Sequence, residues 1–270
     1  MILHKQNILG FTLIELGVFI AIVVILIVSF MPGCHCIQAR YQSKQAKCIA
    51  NIKDQYQAQI LYVNDNNGKF HSHKDHAPSY VRSNGNQDSL YDAIIGYMKN
   101  TKIMLCPLLG ELPQFGYRYT SLDYFEWGYG GWDSVKPELH QIPSHIFSGY
   151  DWFANYQHIS GTKTKFSFVY KGDMIQENPW PRTGEELTED KAFIAHRISA
   201  HRRRGYVGLW DISHGGSGGA RGIEFEELFD DISTSKENPV GYADGHVEIR
   251  CKSEIRPRAL IGDDPGLWFY

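Results

Sequence analysis

The chain begins with a short polar segment, continues as a long apolar run and then becomes amphipathic. Residues Phe11–Met31 read FTLIELGVFIAIVVILIVSFM, with Glu15 as their one ionisable side chain. Such a run has about the 20 residues that a helix needs to cross a bilayer, so the pattern predicts a transmembrane helix over residues 11–32. A carboxylate near the start of the run is costly to bury in lipid, which marks Glu15 as a candidate functional residue.

A second helix is predicted after Pro32. Apolar residues recur there at spacings of three and four, the pattern of one buried helix face. The residues on this face are Ile49, Ile52, Tyr56, Ile60 and Val63. The pattern indicates a helix over residues 38–63, laid on a globular domain and ended by the turn-forming residues Asn64–Gly68. We therefore expect an amphipathic stem helix within residues 33–68 and a globular head over residues 69–270.

The head carries short strand patterns. Lys165–Tyr170 and Tyr206–Trp210 are rich in aromatic and β-branched residues. The clearest hairpin pattern is Val240–Ala243, then Asp244-Gly245, then His246–Ile249, because Asp-Gly between two strand-like runs favours a tight two-residue turn. The Asp-Gly pair is therefore expected to serve the geometry of that turn.

Composition limits the classes of function. The 270 residues carry a formal net charge of −3, 43% of them are hydrophobic and 13% are aromatic. A chain of this size and aromatic content can bury one medium-sized core beside one extra element. Because the chain lacks a basic footprint, nucleic acid is excluded from the expected partners.

The junction between the leader and the apolar run has a specific sequence, Gly10-Phe11-Thr12-Leu13-Ile14-Glu15-Leu16. It resembles the cleavage and methylation signature of type IV prepilins and type II secretion pseudopilins. The resemblance implies a leader peptide over residues 1–10, cleavage after Gly10 by prepilin peptidase and methylation of Phe11 by the same enzyme. It also implies that Glu15 pairs with the terminal amine of a neighbouring subunit during assembly, and Pro32 falls where many pilins have a helix-weakening proline.

Further segments extend the resemblance into the head. Cys48–Lys53, Tyr62–Gly68, Cys106-Pro107 and Asp244-Gly245-His246 are similar to motifs of a large bacterial subgroup of pilin-like proteins known by the label H-x9-DG. His214 matches the histidine that opens the last of these motifs. The spacer from this histidine to the Asp-Gly pair is far longer than nine residues, which is a departure from the subgroup.

The resemblance also implies a disulfide between Cys48 and Cys106, which would join the stem helix to the head outside the cytoplasm. The five cysteines are an odd number, so at least one thiol is left over or pairs between chains. Two buried free cysteines remain an alternative to the disulfide. No confident metal site follows from the sequence, and no cofactor is expected. Calcium near the C-terminal loops, with Asp244 as a ligand, is considered because some pseudopilins bind it there.

The fold implied by the resemblance is α+β: a long N-terminal transmembrane-plus-stem helix packed on a mainly antiparallel β head, in the shape of a lollipop. The implied function is that of a non-enzymatic structural subunit of a type II secretion pseudopilus or a type IV pilus-like fibre. Its expected location is the bacterial inner membrane, crossed once with the head in the periplasm, and then the fibre. The expected partners are prepilin peptidase/N-methyltransferase, other pilin-like subunits and an inner-membrane assembly platform.

Other functions remain open at this point. In the main alternative, the chain is a membrane-anchored envelope protein whose head binds a ligand, and the pilin signal serves only for targeting.

Three local motifs suggest other chemistry only weakly. Gly33-Cys34 is a poor match to a lipidation site. Gly215–Gly219 formally matches the nucleophile elbow of a hydrolase, but a run with four glycines matches this pattern easily and a flexible glycine loop is the expected structure. The histidines of His71–His76 could bind a metal, but a solvated polar loop is the expected structure.

Overall fold

The structure is a computed structural model in which the chain forms two compact units, Met1–Ser43 and Lys44–Tyr270. It describes residues 12–29, 33–75, 78, 80–83, 90–104, 106–108, 111–112, 117–118, 144–147, 149–158, 161, 163–196, 198–203, 206–211, 214, 218–222, 236–261 and 266–270.

The first unit contains helix α1, Leu13–Ser29, and the beginning of helix α2, Gly33–Asp65. The 17 residues of α1 are almost wholly apolar, and most of its large side chains are exposed. At about 1.5 Å per residue such a helix is shorter than the ~30 Å hydrocarbon core of a bilayer. Helix α2 is longer but polar, with basic and acidic residues along it. Within the described part of the chain, no helix combines the length and the apolar character that a membrane crossing requires.

The expected long transmembrane-plus-stem helix, and with it the pilin-like lollipop fold, is therefore wrong. In place of one long helix the chain has a short first helix and a second helix, and its sheets are mostly antiparallel. The same finding contradicts the expectation of a transmembrane protein that crosses the inner membrane once with its head in the periplasm. The physical reason is length, since the described apolar helix, Leu13–Ser29, has 17 residues and a bilayer crossing needs about 20.

In the second unit, α2 packs on the sheets through one face. Cys48, Ile52 and Val63 on this face are fully or almost fully buried. The helix ends as the run of turn-forming residues predicts. The backbone N–H of Gly68 bonds to the carbonyl of Val63 at 3.0 Å, and Asn67 and Gly68 adopt positive φ angles of 54° and 72°. This left-handed C-terminal cap satisfies a carbonyl that the helix leaves without an intrahelical partner.

The remaining elements are short. The strands are β1 (His73–Asp75), β2 (Tyr80–Ser83), β3 (Glu111–Leu112), β4 (Tyr117–Arg118), β5 (Ser144–Phe147), β6 (Tyr150–Trp152), β7 (Tyr156–His158), β8 (Ser167–Tyr170), β9 (Asp173–Gln176), β10 (Ala192–His196), β11 (Ile198–Arg203), β12 (Tyr206–Asp211), β13 (Gly218–Gly222), β14 (Glu237–Tyr242), β15 (Val247–Cys251), β16 (Pro257–Ile261) and β17 (Gly266–Phe269). The helical elements beside α1 and α2 are α3 (Leu90–Ile94) and the 3₁₀ turns Ile95–Tyr97, Thr101–Met104, Gly184–Glu186 and Lys252–Glu254.

Two sheets dominate the second unit. One has the strand order β15-β14-β10-β6 and the other the order β13-β12-β11-β17-β16, and both are antiparallel. In the described part of the chain, four two-stranded sheets accompany them, of which β1–β7 is parallel. β10 lies between β14 and β6, and all five of its residues are buried.

The hairpin predicted around Asp-Gly is present as β14–β15, but its turn is longer than predicted. The N–H of Tyr242 bonds to the carbonyl of His246, and the N–H of Gly245 bonds back to the carbonyl of Tyr242, each at 2.9 Å. Gly245 has a φ of 92°, which closes a three-residue loop with glycine in the left-handed region. A Cβ at Gly245 would come within 2.9 Å of the Tyr56 ring of α2, so this turn also needs glycine for space.

Helix α2 approaches the four-stranded sheet closely because Gly241 of β14 has no side chain. A Cβ at this position would lie 2.6 Å from Cγ2 of Ile52 and 2.8 Å from Cγ2 of Ile194. Both isoleucines are almost completely buried in the core between α2 and the sheet. Their side chains therefore fill the space above the glycine and leave no room for a methyl group.

Gly241→Ala is expected to destabilise the fold by about 1–3 kcal/mol, since overpacking a filled core forces side chains away from their preferred rotamers. The matched control is Gly96→Ala, where an added Cβ meets no atom within 4 Å. The free energy of unfolding, measured by urea denaturation, checks both variants. Equal losses in the two would contradict the close approach of α2 to β14.

Candidate metal centre

Four side chains from distant parts of the chain meet in the second unit. Cys48 belongs to α2, Cys106 follows the 3₁₀ turn Thr101–Met104, His196 ends β10, and His214 lies between β12 and β13. Their sulfur and ring-nitrogen donor atoms all lie within 4.8 Å of one another. Each residue is at most 2% exposed, so the four donors form one buried cluster, which we call the Cys-His cluster.

The strands position the two histidines. His196 lies opposite Tyr150 of β6 in the sheet, and its backbone N–H donates to Oδ1 of Asn238 at 3.2 Å. His214 forms an isolated β-bridge with Glu237, and its carbonyl accepts the N–H of Lys236 at 2.9 Å. Because β14 pairs with β10, the backbone contacts of β14 bring both histidines to the same end of the four-stranded sheet.

The donors contact one another in pairs. Sγ of Cys48 lies 3.1 Å from Nε2 of His196, and Sγ of Cys106 lies 3.4 Å from Nε2 of His214. The two imidazole rings meet edge to face, with centroids 4.7 Å apart. The hydroxyl of Tyr150 approaches Sγ of Cys48 at 3.4 Å, and its ring packs against His196. The cluster therefore has its sulfur and nitrogen atoms turned towards one another.

The cluster shifts the pKa values of its two thiols in opposite directions. Burial opposes ionisation of Cys106, but its contacts with Cys48, His196 and His214 outweigh burial and hold the pKa of the Cys106 thiol well below its usual range. Burial and the neighbouring Cys106 raise the pKa of the Cys48 thiol well above its usual range. Burial lowers the pKa of His214, while Cys106 and Glu237 raise it, with a net increase. The surroundings thus favour a negative charge on one sulfur, which is the form of cysteine that binds metals.

The carboxylate of Glu237 contacts the ring of His214. Oε1 of Glu237 lies 2.6 Å from Nδ1 of His214. Nε2 of Gln45, on α2, donates to both carboxylate oxygens of Glu237 at 2.8 and 2.9 Å. A carboxylate on one ring nitrogen fixes the ring and leaves the other nitrogen facing the ligand, which is the usual arrangement behind a metal-binding histidine.

The donor set fits a structural zinc ion. Zinc takes two thiolates and two imidazoles in a tetrahedral arrangement with bonds of about 2.3 and 2.0–2.1 Å, which places neighbouring donors about 3.3–3.8 Å apart. The two Sγ–Nε2 distances of 3.1 and 3.4 Å are close to these edges. The separations within the donor set extend to 4.8 Å, so the widest pair would have to draw together by about 1 Å around an ion. All four donor residues are buried, so the geometry is that of a closed site rather than of a catalytic site with an open position.

The structure brings together three residues that the sequence singled out. Cys48 and Cys106, the proposed disulfide partners, share the cluster, but both are free thiols in the structure and no disulfide joins them. His214, the histidine of the H-x9-DG motif, completes the cluster with His196.

The other motif residues lie elsewhere. Oδ1 of Asp244 accepts the backbone N–H of His246 at 3.1 Å and lies 2.6 Å from its Nδ1, so these residues serve the β14–β15 turn together with Gly245. Asp244, the candidate calcium ligand, is exposed and has no other acidic residue in these contacts. Gly10, Phe11 and Pro32 lie outside the described residues.

Glu15 has a local partner. Its backbone N–H donates to Oγ1 of Thr12 at 3.2 Å, and its carboxylate accepts the N–H of Thr12 at 2.9 Å. This reciprocal pair is a capping box at the start of α1, and the Thr-x-x-Glu spacing before an apolar run is its sequence signature. The hydrogen bonds from the backbone and side chain of Thr12 lower the pKa of Glu15. The capping box accounts for the carboxylate within the chain itself.

Sequence reasoning missed His196 and Glu237. Both lie far from the cysteines in the chain, and no pair of ligands is close enough in sequence to form a recognisable metal motif. The one local signal was His196 itself, a polar residue at the end of the otherwise apolar strand Ala192–His196. A histidine buried in this way needs a polar partner, but the strand pattern alone does not say which.

Comparison of the chain with protein-family models, with curated proteins and with solved structures gives no match.

Proposed function

We propose that the Cys-His cluster binds one zinc ion, which acts as a structural cross-link in a non-enzymatic protein. The observation that carries this proposal is the convergence of two buried sulfur atoms and two buried imidazole nitrogens within 4.8 Å. Soft thiolate and imidazole donors select zinc and similar transition metals, whereas calcium and magnesium require oxygen ligands. A closed set of four protein ligands leaves no position for substrate or water, which supports a structural role.

The ion would connect four separate segments. These are α2 through Cys48, the segment after the 3₁₀ turn through Cys106, β10 through His196, and the bridge to β14 through His214. Structural zinc sites contribute about 10–16 kcal/mol of apparent binding free energy in small domains, which rivals the ~5–15 kcal/mol of a whole domain. Zinc at this position would therefore determine whether the segments remain joined.

The reduced protein is expected to contain one zinc ion per chain, measured by inductively coupled plasma mass spectrometry. Replacing zinc with cobalt gives a second readout, because two thiolates in a tetrahedral site produce sulfur-to-cobalt charge-transfer bands. Cys106→Ser should weaken these bands, and His214→Gln should lower metal content while retaining them in part. Chelation should lower the melting temperature of the wild type to that of the ligand variants.

The control for this experiment is Cys251→Ser, which removes an exposed thiol outside the cluster. It should retain one metal ion and the full charge-transfer spectrum. A reduced wild-type protein without metal, or a Cys106→Ser variant with unchanged cobalt bands, would disprove the zinc centre.

Glu237 is expected to tune the affinity of the centre through His214. Glu237→Gln removes the negative charge from behind the imidazole, and loss of such a partner weakens metal binding by about 10- to 100-fold. The exposed Glu189→Gln provides a control with the same change of charge away from the cluster. Competition with a chromophoric chelator measures both affinities, and equal values for the two variants would refute the positioning role.

The N-terminal motif supports a second part of the proposal. We propose that the chain is a pilin-like structural subunit, processed by prepilin peptidase after Gly10 and assembled with other pilin-like subunits. All seven residues of Gly10–Leu16 match the processing signature. A head stabilised by a buried ion and lacking an open metal position is compatible with a subunit that serves by assembly rather than by catalysis.

Processing can be tested by co-expression with a prepilin peptidase. Gly10→Ala is expected to leave the chain at full length, because the peptidase requires glycine before the cut. Gly17→Ala is the control, since an added Cβ there meets no atom within 4 Å and the variant should be shortened like the wild type. A normally shortened Gly10→Ala product, identified by intact mass, would reject the processing proposal.

A further inference from the structure

We infer that zinc and a Cys48–Cys106 disulfide are alternative cross-links of the same cluster, exchanged by thiol–disulfide chemistry. This exchange rests on the zinc centre proposed above and adds a redox control to it. The two sulfurs belong to a set of donors that all lie within 4.8 Å, and both residues are thiols in the structure. The same pair of side chains can therefore serve either as two metal ligands or as one covalent bond.

The exchange requires only a local movement, because the two sulfurs lie within 4.8 Å of each other in the structure. Two sulfurs on one zinc ion lie about 3.8 Å apart, and a disulfide requires about 2.05 Å. The remaining gap is less than 2 Å by these values, and Cys106 lies outside helix and strand, in a segment that can adapt more readily than α2. Closing the gap therefore requires a local movement near Cys106, with Cys48 held in place by its helix.

The reaction balances with a small-molecule disulfide as the oxidant. One zinc-bound thiolate attacks a sulfur of the oxidant, forms a mixed disulfide and displaces one small thiolate. The second cysteine thiolate attacks the protein sulfur of that mixed disulfide and displaces the other small thiolate. Two electrons pass from the two cysteines to the oxidant, one sulfur–sulfur bond forms in the protein, and the ion loses both sulfur ligands and leaves.

The two cross-links hold different parts of the fold. Zinc joins four segments, whereas the disulfide keeps only α2 attached to the segment of Cys106. His196 and His214 lose their shared ligand on oxidation, although their backbone bonds to Asn238 and Lys236 do not involve the metal. Oxidation is therefore expected to loosen the histidine side of the cluster while the cysteine side stays joined.

Burial sets the rate of the exchange. Cys48 and Cys106 are 0% and 2% exposed, so an oxidant reaches them only when the structure opens locally. Cys251 is an exposed thiol and has no such barrier. In the wild type, Cys251 should react with the oxidant before the cluster does, and zinc release should follow the slower step.

The experiment uses a full-length chain in which Cys34, Cys36 and Cys251 are replaced by serine, which leaves two of the five cysteines. The zinc-loaded variant is treated with oxidised glutathione. Free thiols are counted, released zinc is measured with a chromophoric indicator, and disulfides are located by peptide mapping. The expected result is the loss of two thiols per zinc released, a Cys48–Cys106 peptide, and recovery of the zinc centre with dithiothreitol and zinc.

The outcomes separate the two proposals. A reduced variant that binds no zinc overturns both the centre and the exchange. A variant that binds zinc but keeps it after complete oxidation, or releases it with two glutathione adducts and no Cys48–Cys106 bond, overturns the exchange alone. Adding Cys48→Ser gives the matched control, which can form only a single mixed disulfide with glutathione.

Discussion

Two thiols and two imidazoles occupy one buried space, and this is the constraint on which the second unit depends. Polar groups removed from water cost several kcal/mol unless they find partners. Here the partners are one another, with sulfur–nitrogen contacts of 3.1 and 3.4 Å, and Tyr150 and Glu237 around them. A metal ion would replace these weak sulfur contacts with four strong bonds. Binding an ion would therefore lower the free energy of the folded second unit strongly.

Local patterns in the sequence predicted the local structure of the second unit. The spacing of apolar residues located α2 and its buried face, and the Asp-Gly pair located the β14–β15 hairpin, because both signals lie within a few residues of the structure that they form. The three-residue length of the turn was not predicted, since it depends on the contact between Gly245 and Tyr56 of α2. The Cys-His cluster was not predicted either, because its four residues come from segments that only the folded sheet brings together.

The apolar run at the N-terminus shows the opposite case, in which a strong local pattern led to a wrong conclusion. Its composition correctly indicates a helix, Leu13–Ser29, but no helix of the described residues is both long and apolar enough to cross a membrane. The resemblance to prepilins implies that Glu15 pairs with the terminal amine of another subunit. Its hydrogen bonds with Thr12 in the capping box show that a carboxylate at this position also has a use within its own helix, and an assembly role would have to compete with these bonds.

The positions of the four donors along the chain have a consequence for biosynthesis. Cys48 emerges from the ribosome long before His214, and the carboxylate that orients His214 is further on still, at Glu237. A complete coordination sphere therefore does not exist until most of the polypeptide has been made, and closing loops of this length is slow compared with forming a helix or a hairpin. Loading of the ion would be one of the last events in maturation, and a chain that holds it would be one whose second unit has reached its final topology.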